Sequence, residues 1–252
     1  MRVVVCAKQI PDPANPYRLD PQTNYLVRPN DQVLDDTDRY GVEMGLQLAQ
    51  KAGGAVTIVS MGPTGSMQGL RQALAMGAEK AIVIDDAELK GSDALQTARV
   101  LAEAIKKEGF DLVIAGTEST DGYSGVVPQM VAELLDIPAL TYATQVEATE
   151  GKVTIHRQTA SGYDVVEAAL PALVSVTAGV VEPRYPTFKG IMDAKKKPVD
   201  NHSAGDLGVT ASPAEKVTEV TNAPTRSGGT KIEDDGEAFQ KIVELLAQKK
   251  VI

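Results

Sequence analysis

The chain has no tryptophan, one cysteine and two histidines, and aromatic residues make up only 4% of its 252 positions. A core built from it must be aliphatic and alanine-rich. A single cysteine excludes an internal disulfide, and Cys6 lies inside the apolar run RVVVCAK, where a thiol behaves as a small buried hydrophobe. That run follows Met1 directly, with no leader pattern in front, so a reducing cytoplasm is the expected compartment. No apolar stretch approaches the roughly 20 residues that a membrane-spanning helix needs. Positive charge is also short, with a formal net charge of −9, which argues against a nucleic-acid surface. His156 and His202 lie apart from each other and from Cys6 in the sequence, so there is no Cys/His cluster for a metal, and no Ser–His–carboxylate set can be argued. No GxGxxG follows the first strand and no GxxxxGK[ST] occurs anywhere, which sets aside the standard dinucleotide fold and the P-loop hydrolases. The chain reads as a binding scaffold without its own catalytic residues, not as an enzyme.

What is present is alternation. RVVVCAK (2–8) is a continuous apolar run of the kind a buried parallel strand shows, and residues 38–52 carry Val42, Leu46 and Ala49 at helical spacing. Strand AVTIVSMG (55–62), helix 65–77, strand KAIVID (80–85), helix 93–109, strand DLVIAGT (111–117) and helix 125–136 follow in turn. ALTYATQVEA and KVTIHRQTA then form a hairpin turning at Glu150-Gly151, and ALVSVTA (172–178) is one more buried strand. Strands separated by helices give an α/β, Rossmann-like doubly wound, mostly parallel sheet covered on both faces. Residues 200–235 lose the apolar periodicity, and EAFQKIVELLAQKK (237–250) closes the chain as an amphipathic helix with Phe239, Ile242, Val243 and Leu246 on one stripe. We therefore expect a nucleotide-binding α/β domain over 1–199 and, over 200–252, an extended arm ending in a helix that wraps a partner.

Open parallel sheets bind ligands beyond the carboxyl ends of their strands. Three loops fall there: Lys8–Asp12, Met61–Ser66 and Gly116–Gln129. The third is the richest. Gly122 and Gly125 let backbone amides approach an anion, Ser119, Thr120 and Ser124 add hydroxyls, and the next helix aims its N-terminus at the same point. The same pattern also serves ordinary strand-to-helix connections, so the loop alone leaves a phosphate site and a plain turn both open.

The segment VEPRYPTFKGIMDAKKK (181–197) puts Phe188 in a proline- and glycine-containing loop beside Lys189, Gly190, Ile191 and Met192. An apolar side chain on a surface loop is placed either to fold back under its own loop or to enter a pocket of another protein. Lys195 to Lys197 serve either to steer an acidic partner or as a solvated helix end.

The segments AGTESTDGYSGVVPQMVAELLDIPALTYA, VEPRYPTFKGIMDAKKKPV and AGDLGV, with the opening VVVCAKQIPD, resemble the beta subunit of electron transfer flavoprotein, in that family's order from residue 2 to about 209. The resemblance implies a sheet of the adenine nucleotide alpha hydrolase-like and universal-stress-protein-like kind. It implies a heterodimer with an alpha subunit that holds most of the FAD, carrying electrons from flavin dehydrogenases to an acceptor such as a quinone oxidoreductase. It further implies that the beta subunit buries AMP or, in electron-bifurcating members, a second FAD. Carried over by motif, Cys6, Ala7, Asp35, Asp36, Thr37, Asp38 and Met61 would line the nucleotide site. Ser119, Thr120, Asp121, Gly122, Tyr123, Ser124, Gly125, Val126, Val127, Pro128, Gln129 and Met130 would hold the phosphate from the third loop. Arg184, Tyr185, Pro186, Thr187, Phe188, Lys189, Gly190, Ile191 and Met192 would form the loop that docks the dehydrogenase, with Phe188 as anchor. The chain departs from the family at Asp35-Asp36-Thr37, where Asn-Pro-Phe or Asn-Pro-Tyr is frequent, and the extra carboxylates could accept an adenine amino group. The competing class is a stand-alone adenine-nucleotide sensor similar to universal stress proteins, for which the arm would have no use.

Overall fold

The computed structural model describes residues 1–252 except 222, 226, 227 and 230. It divides into two compact units, Met1–Thr218 and Glu219–Ile252. The first contains a nine-stranded sheet. In spatial order its strands are β11 (Val199–His202), β5 (Lys80–Ile84), β4 (Ala55–Met61), β1 (Arg2–Cys6), β6 (Leu112–Gly116), β10 (Ala172–Val176), β7 (Ala139–Thr149), β8 (Lys152–Gln158) and β9 (Tyr163–Ala169). All neighbours from β11 to β7 run parallel; β7, β8 and β9 form an antiparallel meander at one end. A two-stranded antiparallel ribbon, β2 (Gln9–Ile10) with β3 (Val33–Leu34), ties the two ends of the long excursion 11–32.

Alternation within the parallel strands decides which helix lies on which face. Val3 and Val5 pack with Ile58, Leu112 and Ile114 beneath α1 (Asp36–Lys51) and α2 (Gln68–Met76). Val4, Val59 and Val113 point the other way and meet Val100, Leu101 and Ile105 of α3 (Ala94–Glu108) and Val131 of α4 (Val127–Leu135). Both faces are covered, as the sequence pattern requires of strands that are apolar throughout. β1 has β4 on one side and β6 on the other, and the chain order reverses there, which makes the carboxyl ends of β1 and β6 the topological switch point.

The structure adds elements that the pattern does not show. Residues 188–192, expected as part of the loop 184–192, belong to a short helix, α5 (Phe188–Ala194), with Thr187 as its N-cap: the Thr187 hydroxyl accepts from the Gly190 N–H at 3.0 Å. Val199–His202 is the edge strand beside β5, so the arm expected from residue 200 begins inside the sheet, and the first compact unit runs to Thr218. The second unit contains α6 (Ala238–Gln248), where Phe239, Ile242, Val243 and Leu245 are exposed. Among the described residues no helix is long and apolar enough to cross a membrane.

Candidate functional site

At the switch point β1 delivers Cys6 and, just beyond it, Ala7 and Lys8; β6 delivers Gly116 and the loop 117–126; α1 begins on the same side. Between them lies a cleft of about 110 Å³ whose lining includes Cys6, Ala7, Lys8, Asp38, Met61, Ser119, Ser124, Val127 and Pro128. Val59, Thr97, Leu101, Ala115, Gly116 and Glu118 complete it. Lys8, Gly116 and Glu118 belong to the loops that the sequence places at the carboxyl ends of the strands; Val59, Thr97, Leu101 and Ala115 lie outside the residues expected from the sequence. They come from the flanks of strands and from the inner face of α3, where a side chain's orientation follows from packing and not from local pattern.

The loop after β6 is shaped from within. Gly125 has φ +66°, a left-handed conformation that glycine adopts without strain. Val126, the N-cap of α4, offers no side-chain cap, so the first amides of that helix face the loop without a protein acceptor supplied by the cap, and Pro128 stands in the first turn, where its missing N–H costs nothing. Gln129 Oε1 is buried without a hydrogen-bond partner. A buried acceptor left open beside uncapped amides suits a ligand that brings both a donor and an anion. Met130 joins the apolar layer under α3, whereas Tyr123 is 66% exposed.

The four residues at the start of α1 have separate placements. Asp35 is fully buried and caps the helix; its Oδ1 accepts from the Thr37 N–H at 3.0 Å and its Oδ2 from the Thr120 N–H at 2.7 Å. The Thr37 and Thr120 hydroxyls lie at 2.9 and 3.1 Å from the same carboxylate. Its oxygens are thus occupied in bracing the loop, and they are not free for an adenine amino group. Asp36 points outward, its side chain 76% exposed, and pairs with Arg39. Asp38 does line the cleft and accepts from the Lys8 N–H at 2.6 Å. Burial first, then the nearby Asp35 carboxylate, push the Asp38 carboxyl well above the usual range. Burial, with Asp38 beside it, also pushes the Cys6 thiol up to about 12, so no thiolate nucleophile forms there.

Asp121, expected from the sequence among the residues that hold a phosphate, is committed elsewhere. A carboxylate cannot donate, and this one is engaged by two cations: its side chain is 1% exposed, with Lys8 Nζ and Arg28 Nη2 each 2.6 Å from its oxygens. Burial opposes its charge, but the two cations outweigh burial and hold the carboxyl below its ordinary range. Arg28 belongs to the excursion 11–32 and also reaches the Gln9 carbonyl and Gln32 Oε1, both at 3.3 Å. The pairing of Lys8 and Arg28 with Asp121 is not legible in the sequence, because they stand 113 and 93 positions from it.

The second region is α5 and its approach. Tyr185 and Phe188 are each 82% exposed, and Ile191 and Met192 about half exposed. Phe188 opens a helix instead of tipping a loop, and it does not fold back. The segment is fixed at three points. Arg184 Nε and Nη2 donate to Glu43 Oε2 and Oε1 at 2.7 and 2.9 Å, and Arg184 N adds a third bond to Glu43 at 3.2 Å. A Cβ on Gly190 would meet the Ala75 carbonyl oxygen at 2.5 Å, so α5 lies close against α2 because this position is glycine. Lys197 Nζ donates to the Leu74 and Ala78 carbonyls at 2.9 and 2.6 Å, capping the end of α2. Lys197 is thus committed within the fold, while Lys195 and Lys196 are exposed.

Comparison with known proteins gives the family. Residues 23–207 match the electron transfer flavoprotein domain. The chain is 41% identical over 263 aligned positions to the electron transfer flavoprotein subunit beta of Mycobacterium leprae, covering 99% of each. It is 36% identical to the same-named subunit of Thermoanaerobacterium thermosaccharolyticum, with 100% of each covered. It is 33% identical to the caffeyl-CoA reductase-Etf complex subunit CarD of Acetobacterium woodii, again over 100% of each. On this match the chain belongs to the electron transfer flavoprotein beta-subunit family.

Proposed function

We propose that this chain is the nucleotide-holding half of a heterodimeric electron carrier, paired with an alpha subunit that holds most of a redox FAD. The observation that carries this reading is the switch-point cleft, lined at the uncapped start of α4 by Val127 and Pro128, inside a chain related over its full length to beta subunits. The residues fit an adenine mononucleotide. Val59, Met61, Leu101 and Val127 offer apolar walls to a base, while Lys8, Ser119, Ser124 and the α4 amides offer donors to a phosphate. Burial and the nearby Asp35 carboxylate raise the Asp38 carboxyl, which lessens its repulsion of that phosphate.

AMP is the first reading for this cleft. A cleft of about 110 Å³ falls short of the roughly 300 Å³ at the lower end of small-molecule sites, so some opening of the 117–126 loop is needed for any nucleotide. The second FAD stands as the alternative because one relative carries the name of a caffeyl-CoA reductase complex subunit. A stand-alone nucleotide sensor is disfavoured by the full-length match and by the arm.

In this reading the bound flavin supplies the redox chemistry, and no side chain of this chain reacts. The chain itself buries a nucleotide that stabilises the fold by mass action, closes one side of the flavin, and presents a docking point. An electron carrier must release its partners quickly, and a small interface with one apolar anchor localises a complex without trapping it. Phe188, at the exposed start of α5, is that anchor for a flavin dehydrogenase. Acid extraction of the co-purified heterodimer, with flavin and AMP counted per dimer, tests the nucleotide. One flavin and one AMP support the proposal. Two flavins and no AMP assign the second reading, and the absence of any nucleotide beyond the alpha-held flavin contradicts both.

A further inference from the structure

The Lys8–Asp121–Arg28 triad has an unequal geometry. Asp121 is buried, and both of its oxygens are taken by cations at 2.6 Å. Arg28 spreads its donors over Asp121, the Gln9 carbonyl and Gln32, which fits a structural strap from the excursion. Lys8 is different. It lines the cleft, its side chain is 34% exposed, and its ammonium commits two of three donors, to Asp121 and to Ser119 Oγ at 3.3 Å. Among the described residues the third donor has no acceptor. With Arg28 alone, Asp121 would already be neutralised; Lys8 therefore brings one positive charge more than the pairing needs.

Resting on the nucleotide reading given above, we propose that Lys8 is the cation that recognises the ligand's phosphate, and that Asp121 positions it and limits its pull. The ammonium is held at the cleft wall beside Ser119 and on the same loop side as the uncapped amides of α4, so a single phosphate there meets a fixed positive charge. The Asp121 carboxylate behind it offsets part of that charge. Binding energy from this contact is realised only by ligands that bear phosphate, because the apolar walls treat base and ribose alike with or without it.

The test compares AMP with adenosine on the heterodimer freed of nucleotide, by isothermal titration or by competition with a fluorescent AMP analogue. Lys8→Gln leaves Asp121 paired one-to-one with Arg28, so no buried charge is stranded. This variant is expected to lose roughly tenfold or more in AMP affinity while its adenosine affinity stays at the parent level. Lys8→Arg is expected to retain most of the difference. Asp121→Asn removes negative charge behind the ammonium and is expected to widen the AMP-over-adenosine ratio, opposite in sign to Lys8→Gln. An AMP-over-adenosine ratio unchanged in both substitutions overturns the proposal, as does an equal loss of AMP and adenosine in Lys8→Gln, which would mark a purely structural lysine. Failure of the parent protein to bind AMP and adenosine alike overturns the nucleotide reading itself and is distinguishable from either result.

Discussion

The proposed docking role is tested most directly at Phe188. A phenylalanine 82% exposed at the first position of a helix contributes nothing to the core, so removing it should leave the fold untouched. Buried aromatic anchors are worth about 2 kcal/mol or more at interfaces. Phe188→Ala is therefore expected to raise the KM for a reduced dehydrogenase partner by roughly tenfold or more, with flavin content and melting temperature unchanged; loss of flavin would contradict the assignment. Glu43 makes the opposite case, a buried carboxylate that serves the same segment from below. Burial opposes its charge, yet the Arg184 guanidinium and the Gln47 amide outweigh burial and hold it below the ordinary 4.5. A lowered carboxyl contributes stability above its unfolded pKa and loses it as pH falls through the folded value. Glu43→Gln should cost about 1.5–3 kcal/mol at neutral pH, and thermal melts of variant and parent should converge as pH falls through the lowered folded value of the Glu43 carboxyl. A constant offset across the acid range would show that the charge of Glu43 is not what holds Arg184.

The helix α5 tests what a sequence can disclose about an element. The long apolar strands β1, β4, β5, β6 and β10 and helices α1 to α4 are legible within a few residues, because burial on both faces writes continuous apolar runs and helical spacing into the chain. β11, β9 and α5 are not. β11 is four residues, Val-Asp-Asn-His, on an edge that needs little burial, and β9, Tyr-Asp-Val-Val-Glu-Ala-Ala, does not alternate and is mostly exposed. α5 spans seven residues with a glycine in its first turn, too short for a period to show. What holds α5 is tertiary: the close contact of Gly190 with Ala75 and the capping lysine behind it. Gly190→Val should push α5 off α2 and destabilise the protein by about 1–3 kcal/mol, measured by chemical denaturation. A neutral result would mean the two helices separate without cost. The site divides the same way. The glycine- and hydroxyl-rich loop after β6 is readable as a candidate phosphate site, since its donors are contiguous. The Asp35 brace and the Asp121 triad are not, since their partners come from 85 to 113 residues away.

The molecule as a whole divides into an α/β body that ends at Thr218 and a second unit with an amphipathic helix. Phe239, Ile242 and Val243 expose apolar surface along that helix, which is the pattern expected of a segment that folds onto a partner. Truncation after Thr218 is expected to leave a folded body that retains AMP and fails to co-purify with the alpha subunit, as read by pull-down and nucleotide extraction; undiminished co-purification would remove the arm from the interface. The most direct measurement is native mass spectrometry of the chain co-expressed with its alpha subunit. The predicted result is one species whose mass is the sum of the two polypeptides, one FAD and one AMP. A homodimer of this chain carrying its own nucleotide and indifferent to the alpha subunit would contradict it.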